Sequence, residues 1–301
     1  MIRIPRESTV GAFTPAMSPV ASAKPHELIL FETHDCWHGQ ISTEGQDIGK
    51  VDFSCLNPAT GPAFIEGAKP GDVLSISVLS IDVASSGVIN VIPGGGLLGD
   101  KVKKSFTKII PVYSGMASFA GRLFPIKPMV GVIGVATSAE QGSVSTGVPG
   151  RHGGNMDTKD ICEGSTLYLP VSQEGAMLAM GDVHALMADG EACVTGLEIS
   201  AEVLVRVEIL KNLRISWPAI RSGSDLMIVA SGETLEEAAR AATDSAVRYI
   251  CKACGLKWEE AYMMASLAVD LRISQCVDPQ MTVRAVIPVD KLGISGELAD
   301  F

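Results

Sequence analysis

The segment Ser231–Gly255, SGETLEEAARAATDSAVRYICKACG, is where the chain changes period. Leu235, Ala238, Ala239, Ala242, Ala246, Val247 and Ile250 recur at helical spacing, Glu236 and Glu237 occupy the first turn, and Gly255 follows the last periodic residue. A helix is predicted there, and a second over Lys257–Ser266, opening on Trp258-Glu259-Glu260. On both sides the spacing is that of strands. His26–Thr33 reads as a strand delivering Asp35 to its end. In Val73–Val83, Leu74, Ile76 and Val78 share one face while Ile81 and Val83 take the other, which predicts a bulge or strong twist near Leu79. Met129–Thr137 reads as a buried strand and Ser165–Val171 as a strand, and Val203, Val205, Val207 and Ile209 alternate as a half-exposed one. Leu267–Val277 and Val283–Val289 complete the chain as strands. Strands, two helices, then strands make an α+β pattern rather than repeated βαβ units. With no internal repeat and no low-complexity linker, residues 1–301 read as a single domain.

The 301 residues, 47% hydrophobic and 19% charged, suffice to bury a large core. A formal charge of −10, from 24 basic against 34 acidic residues, argues against a nucleic-acid partner. Lys101, Lys103, Lys104 and Lys108 alternate with apolar residues and are expected on a solvated strand edge. No apolar run approaches the roughly 18 to 20 residues of a membrane span, and the start, MIRIPREST, lacks the long apolar core of a signal peptide. A soluble, cytoplasmic protein is expected. Seven cysteines without framework spacing read as reduced thiols, Cys251 and Cys254 included. Pro93-Gly94-Gly95-Gly96 lacks the Lys-Ser/Thr of a phosphate loop and reads as a surface turn.

The chemistry gathers in Arg151–Glu191, RHGGNMDTKDICEGSTLYLPVSQEGAMLAMGDVHALMADGE. Met177–Met180 reads as a short apolar entry to a polar turn carrying Asp182 and His184. Two residues apart on extended backbone, these side chains point the same way, and Asp189 and Glu191 share that relation. A carboxylate and an imidazole converging at a strand end, with further acids across a Gly190 turn, can hold a divalent metal and leave a water position open. The plainer readings are a buried Asp182–His184 pair stapling strands, and a Glu191 ion pair with Arg151 or Arg272.

Ordered blocks across most of the chain carry a resemblance. They are Asp35-Cys36 with Gln40, Asn57-Pro58, Gly61-Pro62, Glu66-Gly67-Ala68, Pro70-Gly71-Asp72 and His152-Gly153-Gly154-Asn155-Met156-Asp157. Gly164–Val171, Gly181-Asp182-Val183-His184-Ala185, Asp189-Gly190-Glu191, Ala261-Tyr262-Met263 and Asp270–Ile273 extend them. In these the sequence resembles the acetamidase/formamidase family. The resemblance implies a β-rich, sandwich-like α+β core with two C-terminal helices, a homo-oligomer, and a bound divalent metal. It also implies hydrolysis of the linear C–N bond of a small amide, such as formamide or acetamide, to ammonia and a carboxylate.

An amide is a poor electrophile with a poor leaving group, so its hydrolysis needs an activated water, oxyanion stabilisation and a proton for the departing nitrogen. On this reading His184, Asp157 and Asp182, joined by Asp35, hold the metal; zinc is expected, with calcium the alternative. Glu191 is the general base that later protonates ammonia, with Asp189 as its catalytic neighbour. Asn155 and the amides of Gly153 and Gly154 bind substrate. Cys36 as a nucleophile ranks below this, and Ser85-Ser86-Gly87 lacks the longer run of the serine amidases. The alternative from another class is a non-catalytic, metal-stabilised protein that binds a small ligand on the same scaffold.

Overall fold

The computed structural model describes residues 1–46, 48–294 and 297–301. Two large, mostly antiparallel sheets face each other. The first has nine strands, with Ala201–Leu210 and Val73–Val83 side by side near its middle. It continues through Thr166–Pro170, Ala219–Ser222, Asp225–Gly232 and Met281–Pro288 to Asp270–Gln275. The alternation in Ala201–Leu210 is the expected one: Val203, Val205 and Val207 are buried while Arg206 is exposed. The expected bulge is present as well. Leu204 pairs with Ser80 and Val205 with Val78, which leaves Leu79 as the extra residue and lets the buried face pass from Val78 to Ile81.

The second sheet has eleven strands, and Leu178–His184 lies in its interior. It is flanked by Met129–Gly134 on one edge and by Ala59–Ile65 and Glu198–Ile199 on the other. Here the sequence reading is corrected. The apolar run does not stop at a turn after Met180; the strand continues through Asp182 to His184, with all seven residues buried. Gly-Asp-x-His looks like a turn by local preference, but neighbours on both edges supply the ladder and override it. Ile76, Leu167 and Val203 of the first sheet meet Ile133, Met180 and Val183 of the second in one apolar core.

The helix α1, Leu235–Cys254, begins where the Thr234 hydroxyl accepts the Glu237 N–H at 3.2 Å and ends at Gly255, whose φ of 65° suits the left-handed cap. Its Ala242, Ala246, Val247 and Ile250 pack on Ile228, Ala285 and Ile287 of the first sheet's outer face. The small residues allow close approach. The helix α2, Trp258–Ala268, follows, and a one-turn helix, Val289–Leu292, comes after the last strand. The lysines differ from expectation. Lys101 ends a one-turn 3-10 helix and Lys103 and Lys104 lie in the loop after it, so only Lys108 sits on the strand Phe106–Tyr113, paired with Glu44 at 2.9 Å. No helix among the described residues is long and apolar enough to cross a membrane.

Candidate metal and catalytic centre

His184 is the hub. Its ring is 1% exposed, and its Nε2 lies 3.2 Å from Glu198 Oε2, 3.4 Å from Asp182 Oδ1, 3.7 Å from Asp157 Oδ1 and 4.0 Å from Glu191 Oε1. Each acid arrives from a different piece of backbone. Asp182 lies on the same strand, and Glu198 sits directly across the ladder from His184. Asp157 follows the strand Gly153–Asn155, and Glu191 follows the Gly190 turn. Asp157, Asp182 and Glu191 all have positive φ, 38°, 53° and 48°, a backbone state that costs roughly 1–3 kcal/mol per residue outside glycine. Three acids in this backbone state around one imidazole make this the candidate functional centre.

Gly131 gives the spacing its cause. It faces Asp182 between the pairs Val130–Val183 and Val132–Gly181, and a Cβ there would fall 2.7 Å from Asp182 Oδ2 and closer still to Asp157 Oδ1. The two carboxylates therefore meet over a position that only glycine can fill.

Asp157 Oδ1, Asp182 Oδ1 and Glu198 Oε2 are buried without a hydrogen-bond partner. Buried carboxylates left this way are expensive unless a cation or a proton satisfies them. Burial, then the charges of Asp278 and Asp182, pushes the Asp157 carboxyl well above its usual range. Burial and the Asp157 charge do the same to Glu191, and burial lifts Glu198 to about 7 against the pull of His184. On His184, burial works to lower the pKa, but the charges of Glu198 and Asp182 outweigh it and hold the imidazole well above its usual value. Two sets of donor atoms each lie within 4.8 Å of one another: Asp157, His184 and Glu191, and Cys36, Asp182 and Glu198. Oxygen donors with one imidazole suit a divalent metal, so the residues fit the expected group.

Among the residues expected at the site, Asp157, Asp182, His184 and Glu191 are brought together. Asp35 stands on the flank, where its Oδ1 accepts the Gly39 N–H at 2.8 Å; burial raises its pKa, with a smaller push from the Asp182 charge. Asp189 is directed elsewhere. It pairs with Arg284 at 2.7 Å and Lys159 at 2.9 Å, because the left-handed Gly190 and Glu191 break the extended relation on which its placement rested. Asn155 is buried and its Nδ2 donates to Asp278 Oδ2 at 2.9 Å, while its Oδ1 has no partner. The Gly153 N–H donates to the Gly150 carbonyl at 3.1 Å and is not free for a substrate oxygen; Gly154 pairs opposite Ile133 in the sheet. Neither arginine weighed for Glu191 reaches it: Arg151 lies over Trp217, and Arg272 pairs with Asp270. Burial and the charge of Glu198 push the Cys36 thiol well up, which disfavours an attacking thiolate.

Sequence reasoning missed Glu198 and Asp278. A carboxylate between the apolar Leu197 and Ile199 was the only signal for Glu198. Asp278 has none, for it is placed by Gln275, whose Oε1 accepts the Val277 and Asp278 N–H groups at 2.9 and 3.0 Å.

His152, just before the strand Gly153–Asn155, is buried with neither ring nitrogen hydrogen-bonded, and its ring lies tilted against that of Phe13 at 5.1 Å. Burial lowers its pKa from 6.5 to about 4. Between those values the unfolded chain binds more protons, so the contribution of this group is full above pH 6.5 and is lost as pH falls toward 4. The expected loss is about 3 kcal/mol. Urea titrations of the protein and of His152→Gln should differ in slope over that window, and parallel curves would refute the assignment.

Fold and site together define a β-rich α+β protein with an acid-lined, metal-competent centre on its second sheet. The chain belongs to the acetamidase/formamidase family, whose sequence model matches residues 6–145 and 139–292. It is similar to the crystal structure of an acetamidase from Bacillus halodurans, at 40% identity and a TM-score of 0.94, covering 97% of this chain and 99% of that one. A predicted acetamidase/formamidase from Thermoanaerobacter tengcongensis is 38% identical with a TM-score of 0.94, covering 97% and 98%. A putative formamidase of Schizosaccharomyces pombe is 27% identical over 246 residues, 62% of this chain and 60% of the relative. The matches to curated relatives span 60% to 65% of those proteins' length.

Proposed function

We propose that this chain hydrolyses small linear amides to ammonia and a carboxylate at the His184 centre. The observation that carries the reading is the set of three buried, unpartnered carboxylate oxygens around one imidazole, in a chain whose relatives are named formamidase and acetamidase. His184, Asp157 and Asp182 would hold a divalent cation, zinc by the mixed donor set, with Glu198 and Asp35 flanking them. When bound, such an ion supplies polarisation of the amide carbonyl and acidification of water.

The side chains supply the rest. Glu191 takes the proton of the attacking water as the new C–O bond forms, then passes it to nitrogen as the C–N bond breaks and ammonia leaves. Burial and the Asp157 charge raise its pKa, which makes the carboxylate a stronger base toward the attacking water than an exposed glutamate. Asn155 Oδ1, the unpaired acceptor, receives an N–H of the substrate amide and turns the carbonyl toward the centre. Asp189 has its part in fixing the Glu191 loop rather than in the reaction. One shared core joins the two sheets, which favours a single domain. Tyr262, Met263 and Leu267 form an exposed apolar face on α2 that suits a contact between copies of the chain, and seven free cysteines fit the cytoplasm.

The test is ammonia release from formamide, acetamide and propionamide before and after chelation, with zinc, manganese or calcium added back. Release that stops on chelation and returns with one metal is expected. Release indifferent to chelation overturns the metal's part, and no release from any amide by the folded, metal-loaded protein leaves a ligand-binding protein.

A further inference from the structure

We propose that a cleft beside Glu191 takes the acyl chain of the substrate, so that the preferred substrates are uncharged primary amides with an apolar acyl group larger than acetyl. This rests on the amide-hydrolase reading. The cleft has a volume of about 450 Å³ and is walled by Ile110, Ala117, Phe124, Leu186, Met187 and Leu197. Phe119 and Phe124, 40% and 38% exposed, stand at its mouth. Glu191 and Gly196 line it where it meets the centre.

Gly196 makes the connection. A Cβ at this position would lie 2.8 Å from His184 Nδ1, so the imidazole packs directly on the glycine backbone that lines the cleft. The cavity therefore touches the proton carrier Glu191 and lies one glycine backbone away from the hub of the acid cluster.

Size and polarity decide what enters. Pockets of about 300–1,000 Å³ hold molecules of drug size, far beyond a formyl hydrogen or a methyl group. A short acyl group would leave the apolar walls facing poorly bound water, whereas a longer chain displaces it. Among the described residues Glu191 is the only carboxylate on the wall, and no lysine, arginine or histidine joins it. A charged acyl chain would find no partner there.

The experiment uses the metal-loaded protein and compares kcat/KM for formamide, acetamide, butyramide, hexanamide, phenylacetamide and glutamine. Each methylene buried in the cleft should raise kcat/KM roughly three- to four-fold, which makes hexanamide on the order of a hundred-fold better than acetamide. Glutamine should fall below acetamide. Ala117→Phe fills the cleft and should lower the hexanamide-to-acetamide ratio at least ten-fold. Ala188→Trp, at the exposed rim, gives the same reading if the first variant fails to fold. Acetamide equal to or better than hexanamide, or a ratio unmoved in both variants, overturns the cleft's role while leaving the hydrolase reading in place. Release from none of the amides overturns that reading and this inference with it.

Discussion

Glu191→Gln lowers kcat for acetamide by about two to four orders of magnitude, the usual share of a general acid–base group, with KM and bound metal little changed. Glutamine keeps an oxygen and the shape of the side chain but cannot carry a proton from water to nitrogen. The substitution also removes one negative charge from a crowded centre, in which burial and the Asp157 charge already disfavour ionised Glu191. The metal-free variant should therefore melt no lower than the metal-free parent. Stopped assays for ammonia, metal analysis and a thermal scan read the three quantities on one preparation. A variant keeping more than a tenth of the parent's kcat would remove Glu191 from the reaction.

The second large effect concerns stability. Arg284 is fully buried on Met281–Pro288, with its Nε 2.7 Å from Asp160 and its Nη2 2.7 Å from Asp189. Its Nη1 donates to the Ile273 carbonyl at 3.2 Å. Arg284→Met deletes the cation and leaves Asp160 charged in a nearly closed space. Removing one partner of a buried pair costs about 3–5 kcal/mol. Asp189 is partly relieved because Lys159 remains at 2.9 Å, so the cost comes mainly from Asp160. The melting temperature should fall on the order of 10 °C. The double variant Arg284→Met, Asp160→Asn should recover part of that loss, and a cost below 1 kcal/mol would show that the pair is not what holds the Asp160 turn to the strand Met281–Pro288.

What could be read in the sequence was local. The start and stop of α1 are written in Thr234 and Gly255, and the bulge at Leu79 in a change of face within one strand. Asp182 and His184 were legible as a pair because only two steps of one strand separate them. Asp157 and Glu191 were legible as acids in suspicious company, though not as neighbours of the same nitrogen. Glu198 reaches His184 through ladder register, and Asp278 through a turn held by the Gln275 side chain. Neither is a pattern along the chain. The reading of Asp189 failed for a different reason: alternation presumes φ near the strand value, and Gly190 and Glu191 at 96° and 48° do not have it.

Gly131 has a bearing on ancestry. Any side chain at this one position would push apart the two aspartates that face each other over it. Among descendants of the same scaffold, a glycine here and the pair of acids must travel together. A relative with alanine or serine in its place has given up the close approach of those acids, whatever else of the sequence it has kept.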